Sequence, residues 1–171
     1  MASITQYIFR PGERSGEAID LGGQGVDFKI HAADTEGRIS IVEHPLAPGR
    51  LVPAHRHHNE DELSYVIEGE LGVKIGDLET STGPGTYVWK PRGVPHTCWN
   101  ATSKWTRIME IILPGGFEDF FKAKSALPEA QFAGRSTTPE RRALSERFKL
   151  DFLPDWAPPL MQKYKLKLLG E

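Results

Sequence analysis

Residues 49–69 read GRLVPAHRHHNEDELSYVIEG, and residues 85–100 read GTYVWKPRGVPHTCWN. His55 and His57 are two apart. Side chains alternate between the faces of a β-strand, so both imidazoles leave the same side, separated by roughly 6–7 Å of strand rise. Two ring nitrogens at that separation converge on one ion at about 2 Å each. The segment HNED, residues 58–61, is polar enough to turn the chain, and Glu62 then opens an alternating strand, ELSYVIE. Reversing the chain there returns Glu62 to the same point. His96 has to come from a distant strand, so the site exists only if a sheet folds over itself. Three neutral imidazoles and a carboxylate suit one divalent transition metal ion, with Fe, Mn, Ni, Cu and Zn all acceptable to such a donor set.

Working outward, the chain from Phe28 reads as short strands with turns between them: FKIHA, then RISIVEHPL from Arg38 to Leu46, then VPAHRH. ELSYVIEG and ELGVKIGD follow, read as a tight hairpin across Glu68 and Gly69, and then TYVWK, HTCWNA and WTRIMEIIL. Short strands at this cadence, punctuated by Gly, Pro and Asp, predict an all-β sandwich or barrel. Pro91, Arg92, Gly93, Val94 and Pro95 form a rigid turn that aims the strand carrying His96.

Parity extends the reading around the site. If Glu62 points inward, so do Ser64 and Val66, while Leu63, Tyr65 and Ile67 face the other way and need cover from a dimer partner or from C-terminal helices. Cys98 and Asn100 share a face with His96. Cys98 is then either a pocket wall or a small buried apolar residue, and Asn100 reads as a strand-end residue bonding the backbone. His58 has the opposite parity to His55 and His57 and points away from the ion. Glu60 and Asp61 neighbour Glu62 and read as loop charges, with a role in orienting a ligand imidazole left open. His31 and His44 lie on early strands and read as hydrogen-bonded structural histidines.

The spacing of both stretches resembles the cupin family. Its first motif is a glycine, five residues, H-x-H, three or four residues, Glu, six residues and Gly; here these are Gly49, His55, His57, Glu62 and Gly69. Its second is Gly, five residues, P-x-G, two residues, His, three residues and Asn; here Gly85, Pro91, Gly93, His96 and Asn100. The resemblance runs from about residue 25 to 115. It implies an antiparallel β-jelly roll, all-β, with a metal ion inside the barrel held by His55, His57, Glu62 and His96, and a homodimer.

With 171 residues and 39% hydrophobic content, the chain is large enough to bury one core. A formal charge of −2 gives no basic footprint for nucleic acid. The single cysteine, Cys98, excludes an internal disulfide and points to a reducing, cytoplasmic compartment. The N-terminal residues lack the apolar core of a signal peptide, and no apolar run reaches membrane-spanning length. TQYIF, residues 5–9, reads as a possible first strand. LGGQG, residues 21–25, reads as a turn-rich lead-in, since phosphate binding would need it between a strand and a helix.

Residues 1–115 are expected to hold the N-terminal strands and the barrel, and residues 116–171 a helical tail packed on the same domain. A short helix starts near Phe117. A second has Thr138 as cap and Pro139 at its first position, with Leu144 and Phe148 on one face. KYKLKLLG, residues 163–170, reads as a lysine-guarded edge strand. The tail, with GGF-x-x-FF from Gly115 to Phe121, resembles that of single-domain cupins similar to quercetin 2,3-dioxygenase. That resemblance implies a dioxygenase-like oxidoreductase acting on a small enol, diketone or phenolic substrate, with Glu62 both ligand and base. The same four ligands also suit a non-redox isomerase or hydrolase, or a metal-dependent small-molecule binder without catalysis.

Overall fold

Alternation of buried and exposed side chains along the strands sorts them into two facing sheets. The computed structural model describes residues 8–128 and 137–171. Six strands form the first sheet: β1 (Ile19–Asp20), β2 (Gly25–Ile30), β3 (Ser40–Leu46), β6 (Asp61–Glu68), β9 (Tyr87–Lys90) and β11 (Thr106–Leu113), in the order β1-β2-β3-β11-β6-β9. The second contains β4 (Arg50–Leu51), β5 (His55–His57), β7 (Leu71–Ile75), β8 (Leu78–Thr82), β10 (His96–Trp99), β12 (Leu150–Phe152) and β13 (Lys167–Leu168). Its path is β12-β5-β10-β4-β13, with β7 bridging β10 and β8. Every strand pairing among the described residues is antiparallel except that of β13 with β4. This is the antiparallel jelly roll. Three α-helices among the described residues follow the barrel strands: α1 (Glu118–Ser125), α2 (Pro139–Arg147) and α3 (Ala157–Tyr164). Among the described residues no helix is long and apolar enough to cross a membrane.

The core lies between the sheets. Val66, Val88 and Ile108 of the first sheet pack with Leu71 and Val73 of the second, joined by Leu46, Val52 and Leu169. A second cluster, built on Val26, Phe28, Val42 and Ile112, is closed by Phe117, Phe120 and Phe121 from α1 and its N-cap. Parity holds on β6, where Glu62, Ser64 and Val66 are buried and Leu63, Tyr65 and Ile67 are half-buried on the outer face. Part of their cover comes from β9, whose Tyr87 ring lies 4.8 Å from that of Tyr65.

Several expectations are corrected. Glu68 and Gly69 do not close a hairpin, because β6 pairs with β9 and β11 while β7 pairs with β8 and β10, so the chain changes sheets there. Gly69 has φ +78°, and a Cβ on it would meet the Trp105 carbonyl and Thr106 Oγ1 at 2.7 Å, so the corner needs glycine for both conformation and room. The real hairpin is β7–β8, turning between Ile75 and Leu78; β8, LETST, lacks an apolar alternation to betray it. VPAHRH supplies only the three-residue β5, and FKIHA stops at Ile30, after which His31 caps a 3₁₀ turn over Ala32–Thr35. Of TQYIF, Thr5–Tyr7 lie outside the described residues and Ile8 and Phe9 belong to no strand. Leu150–Phe152, expected to continue a helix-rich tail, pairs with β5 as a strand.

Thr138 caps α2 as its sequence indicates, its side chain accepting from the Arg141 N–H. Of the expected edge strand over residues 163–170 only Lys167–Leu168 forms, as β13 with Lys167 exposed and Leu168 buried, because Lys163 and Tyr164 close helix α3. Trp99, 1% exposed, lies over Gly72, its register partner on β7, and packs near Leu160 of α3. A Cβ at Gly72 would sit 2.1 Å from the indole. Gly72→Ala is therefore expected to destabilise the fold by about 3 kcal/mol through overpacking, lowering Tm on the order of 5–10 °C for a chain of this size in a thermal melt.

Candidate metal centre

His55 and His96 face each other because β5 and β10 are neighbours in the second sheet, with those two residues in register. Their rings lie 4.6 Å apart, and the His57 ring is 5.0 Å from His55 and 5.6 Å from His96. Glu62 arrives from the opposite sheet on β6, after the chain has crossed at residues 58–60. One ligand atom from each of His55, His57, Glu62 and His96 lies within 4.8 Å of the others. The structure therefore brings together the four residues that the spacing singled out, in a cluster that could hold one ion.

Hydrogen bonds set the orientation of each ring. His55 Nδ1 lies 2.7 Å from the Pro53 carbonyl, His96 Nδ1 3.1 Å from the Val94 carbonyl, and His57 Nδ1 3.3 Å from Glu60 Oε2. These oxygens can only accept, so each Nδ1 carries the proton and each Nε2 presents a lone pair inward. The Nε2 atoms of His57 and His96 are buried without a hydrogen-bond partner, yet lie 3.4 and 3.2 Å from the Glu62 carboxylate. Lone pairs facing a carboxylate at that distance repel unless a cation sits among them. The donor set thus fits a borderline divalent ion, which is the chemistry that neutral imidazole and carboxylate prefer. Glu60, a loop charge by its sequence, does orient a ring.

Burial reinforces the neutral imidazoles. Desolvation, with the other two rings adding to it, holds His55 well below the ordinary histidine range, and desolvation lowers His96 against the opposing pull of Glu62. Burial opposes ionisation of Glu62, but the Lys90 ammonium beside it favours the charged form, and its carboxyl is held well below the usual range.

Lys90 and Glu110 are the site residues that the motif reading missed. Lys90 Nζ lies 2.9 Å from Glu62 Oε2 and 2.8 Å from Glu110 Oε2, and Ser64 donates to Glu110 at 2.9 Å. All are buried. Burial raises Glu110 to about 7 against the opposing effect of Lys90. The signal was present in parity: Lys90 follows Val88 on the inward face of β9, and Glu110 sits between Ile108 and Ile112 on that of β11.

The remaining candidates fall around this centre. His58 turns outward to Asp151 at 2.8 Å, as parity requires. Asp61 holds the 91–95 turn by accepting from the Arg92 backbone N–H at 2.8 Å and from its guanidinium at 2.7 Å. Asn100 bonds the carbonyls of Leu46 and Lys104 and accepts from the Thr102 N–H, so it serves the backbone. His31 bonds Ser15, and His44 bonds the Gly25 carbonyl. Cys98 lines the cavity in front of the cluster, with burial pushing its thiol up to about 12, so it is a wall without thiolate character. That cavity has a volume of about 60 Å³.

The family model for the Cupin domain matches residues 43–112, the segment that carries the three-histidine, one-glutamate cluster. Over that segment the chain is similar to the cupin superfamily. Among curated proteins it is similar to quercetin 2,3-dioxygenase of Bacillus subtilis (strain 168), 25% identical over 116 residues, which is 68% of this chain and 34% of that protein. It is also similar to the HTH-type transcriptional regulator PuuR of Escherichia coli (strain K12), 24% identical over 102 residues, covering 59% of this chain and 55% of the regulator. The chain thus spans about a third to a half of the curated relatives it matches. Among solved structures, a predicted oxalate decarboxylase from Thermotoga maritima superposes with a TM-score of 0.57 at 19% identity, over 63% of this chain and 99% of that one, a likeness of fold.

His44 gives the site a measurable pH signature. Burial lowers it to about 4 from 6.5, so between those values the unfolded chain takes up a proton that the folded one refuses. Stability is complete above pH 6.5 and falls on acidification, by on the order of 3 kcal/mol for this group. His55 and His96, also lowered, act with the same sign, whereas raised Glu110 opposes them below pH 7. Urea melts of chelator-treated protein from pH 7 to pH 4.5 should show falling stability, with a shallower slope in His44→Gln; an unchanged slope would remove His44 from the account.

Proposed function

We propose that this chain is a metal-dependent oxidoreductase of dioxygenase type, acting on a small enol, diketone or phenolic compound. The observation that carries the metal reading is the arrangement of the three imidazoles, each Nδ1 tied to an acceptor, Nε2 of His57 and His96 turned toward Glu62, and a ring atom of His55 within 4.8 Å of the others. Similarity to quercetin 2,3-dioxygenase of Bacillus subtilis supports the reaction class. A redox-active divalent ion held by His55, His57, His96 and Glu62 would bind a substrate oxygen, lower the pKa of a hydroxyl on it and couple its oxidation to dioxygen.

The chain's own residues supply the rest. Glu62 Oε2 is engaged by Lys90, which leaves Oε1 to take the substrate hydroxyl proton. Lys90 bridges Glu62 and Glu110, so charge lost from one carboxylate on protonation is rebalanced against the other without movement of the backbone. Phe117, edge-on to His57 with ring centroids 4.3 Å apart, and Phe152, 6.3 Å from His55, cover the rings and exclude water from their lone pairs. A water needs about 10–15 Å³ of such cavity volume, so the cavity takes a ligand of a few heavy atoms and favours the small members of the proposed class.

Two variants test the assignment. His96→Ala should lose stoichiometric metal, measured as metal per chain by elemental analysis, while its circular dichroism stays that of the wild type; full occupancy would overturn the ligand set. Glu62→Gln should retain part of the metal and lose about 100-fold or more in the rate of dioxygen uptake with a small enol or diketone, the range of one general base. Undiminished uptake would exclude Glu62 as the base, and wild-type protein holding zinc and consuming no dioxygen would overturn the oxidative reading.

A further inference from the structure

Helix α1 presents Phe117, Phe120, Phe121 and Lys124 to the interior cavity, at the i, i+3, i+4 and i+7 spacing of a single helix face. Three of these positions hold phenylalanine. The fourth holds a lysine that is only 5% exposed. Among the described residues the Lys124 ammonium has no hydrogen-bond or ion-pair partner, and the nearby acids are committed elsewhere. Glu118 accepts from the backbone N–H groups of Ala32 and Gly116, both at 2.7 Å, and Asp119 pairs with Lys122 at 2.9 Å. Glu62 and Glu110, which line the same cavity, are both held by Lys90. Arg141, 5.4 Å from the ring of Phe152, lies outside the cavity lining and acts on Lys124 as a like charge.

We propose that Lys124 is the anion-binding subsite of this cavity and that the substrate is a small oxo- or enol-carboxylate, its carboxylate on the Lys124 ammonium and its keto or enol oxygen directed at the His55, His57, Glu62 and His96 cluster. This rests on the metal reading above for the second contact only. A lone buried ammonium is strongly destabilising unless an opposite charge meets it, so the position is tolerable when an anion enters. Burial, with the Arg141 guanidinium adding to it, brings Lys124 to about 7, and a bound carboxylate restores its full charge. Electrostatics point the same way. Two lysines and two glutamates line the cavity, so the charge of a divalent ion held by the cluster would be left over to attract an anion. A carboxylate of a few heavy atoms also fits a cavity of about 60 Å³, where a flavonol does not.

The test pairs two probes of equal heavy-atom count, pyruvate and butane-2,3-dione, which differ in the charge of one end. Each is titrated calorimetrically into the full-length chain, both chelator-treated and reloaded with metal. Pyruvate should bind at least about tenfold more tightly than the dione in both forms, the effect of one charge-assisted hydrogen bond. Lys124→Met should abolish that preference while leaving metal per chain unchanged, and Lys124→Gln should behave alike. Both variants should melt at or above the wild-type temperature, because each removes an unpaired buried charge. Absence of the preference in wild type, or its survival in either variant, overturns the subsite. A preference that survives in protein unable to take up metal upholds Lys124 and overturns the metal reading instead.

Discussion

Three imidazoles buried within a few ångströms of one carboxylate impose a constraint that most of this structure answers. Each ring needs an acceptor for its Nδ1 proton, and the acceptors come from close by: the carbonyls of Pro53 and Val94, each two residues before the histidine it serves, and the side chain of Glu60. Both carbonyls lie in the proline-containing segments that lead into the strands, Pro53 before β5 and Val94 before β10, which ties the tautomers to the backbone. With the outer nitrogens satisfied, the inner ones meet Glu62 from the opposite sheet. The two sheets are thus joined at the cluster by an arrangement that is repulsive without a cation and cohesive with one.

Around that point the interior is more charged than a packed core tolerates unaided. Lys90 resolves part of it by lying between Glu62 and Glu110, with Ser64 completing the hydrogen bonding of Glu110. Breaking such a group by removing one member would leave a buried charge without its counterpart, which is why the four side chains act as a unit. The phenylalanines of α1 and Phe152 of β12 then seal the opening. Both elements come from the segment that follows the Cupin-domain match, so the tail supplies walls of the cavity as well as an edge of the second sheet.

The fold places many chemistries on one barrel, and the similar proteins here illustrate that breadth, with a dioxygenase and a transcriptional regulator both among them. What separates such proteins physically is the set of side chains facing the metal position from beyond its ligands. In this chain the cavity beyond the four-residue cluster is lined by Lys90, Glu110, Lys124 and an aromatic wall.

Read alone, the sequence determined the strand-rich architecture, the inward parity of Glu62, Ser64 and Val66, the outward turn of His58, the capping of α2 by Thr138 and the four-residue cluster. Each of these rests on a local period or a fixed spacing, and strand alternation carries that information without reference to partners. Tertiary structure alone decided which strands pair. The step at Gly69 looks like a hairpin in sequence and is a crossing between sheets, because long-range pairing with β11 and β9 outweighs the local turn signal. It also decided that Lys90 meets Glu110 across β6, that Glu60 reaches His57, and that Lys124 faces the cavity. Those contacts join residues whose spacing has no common period, and only the closure of two sheets around one interior brings them together.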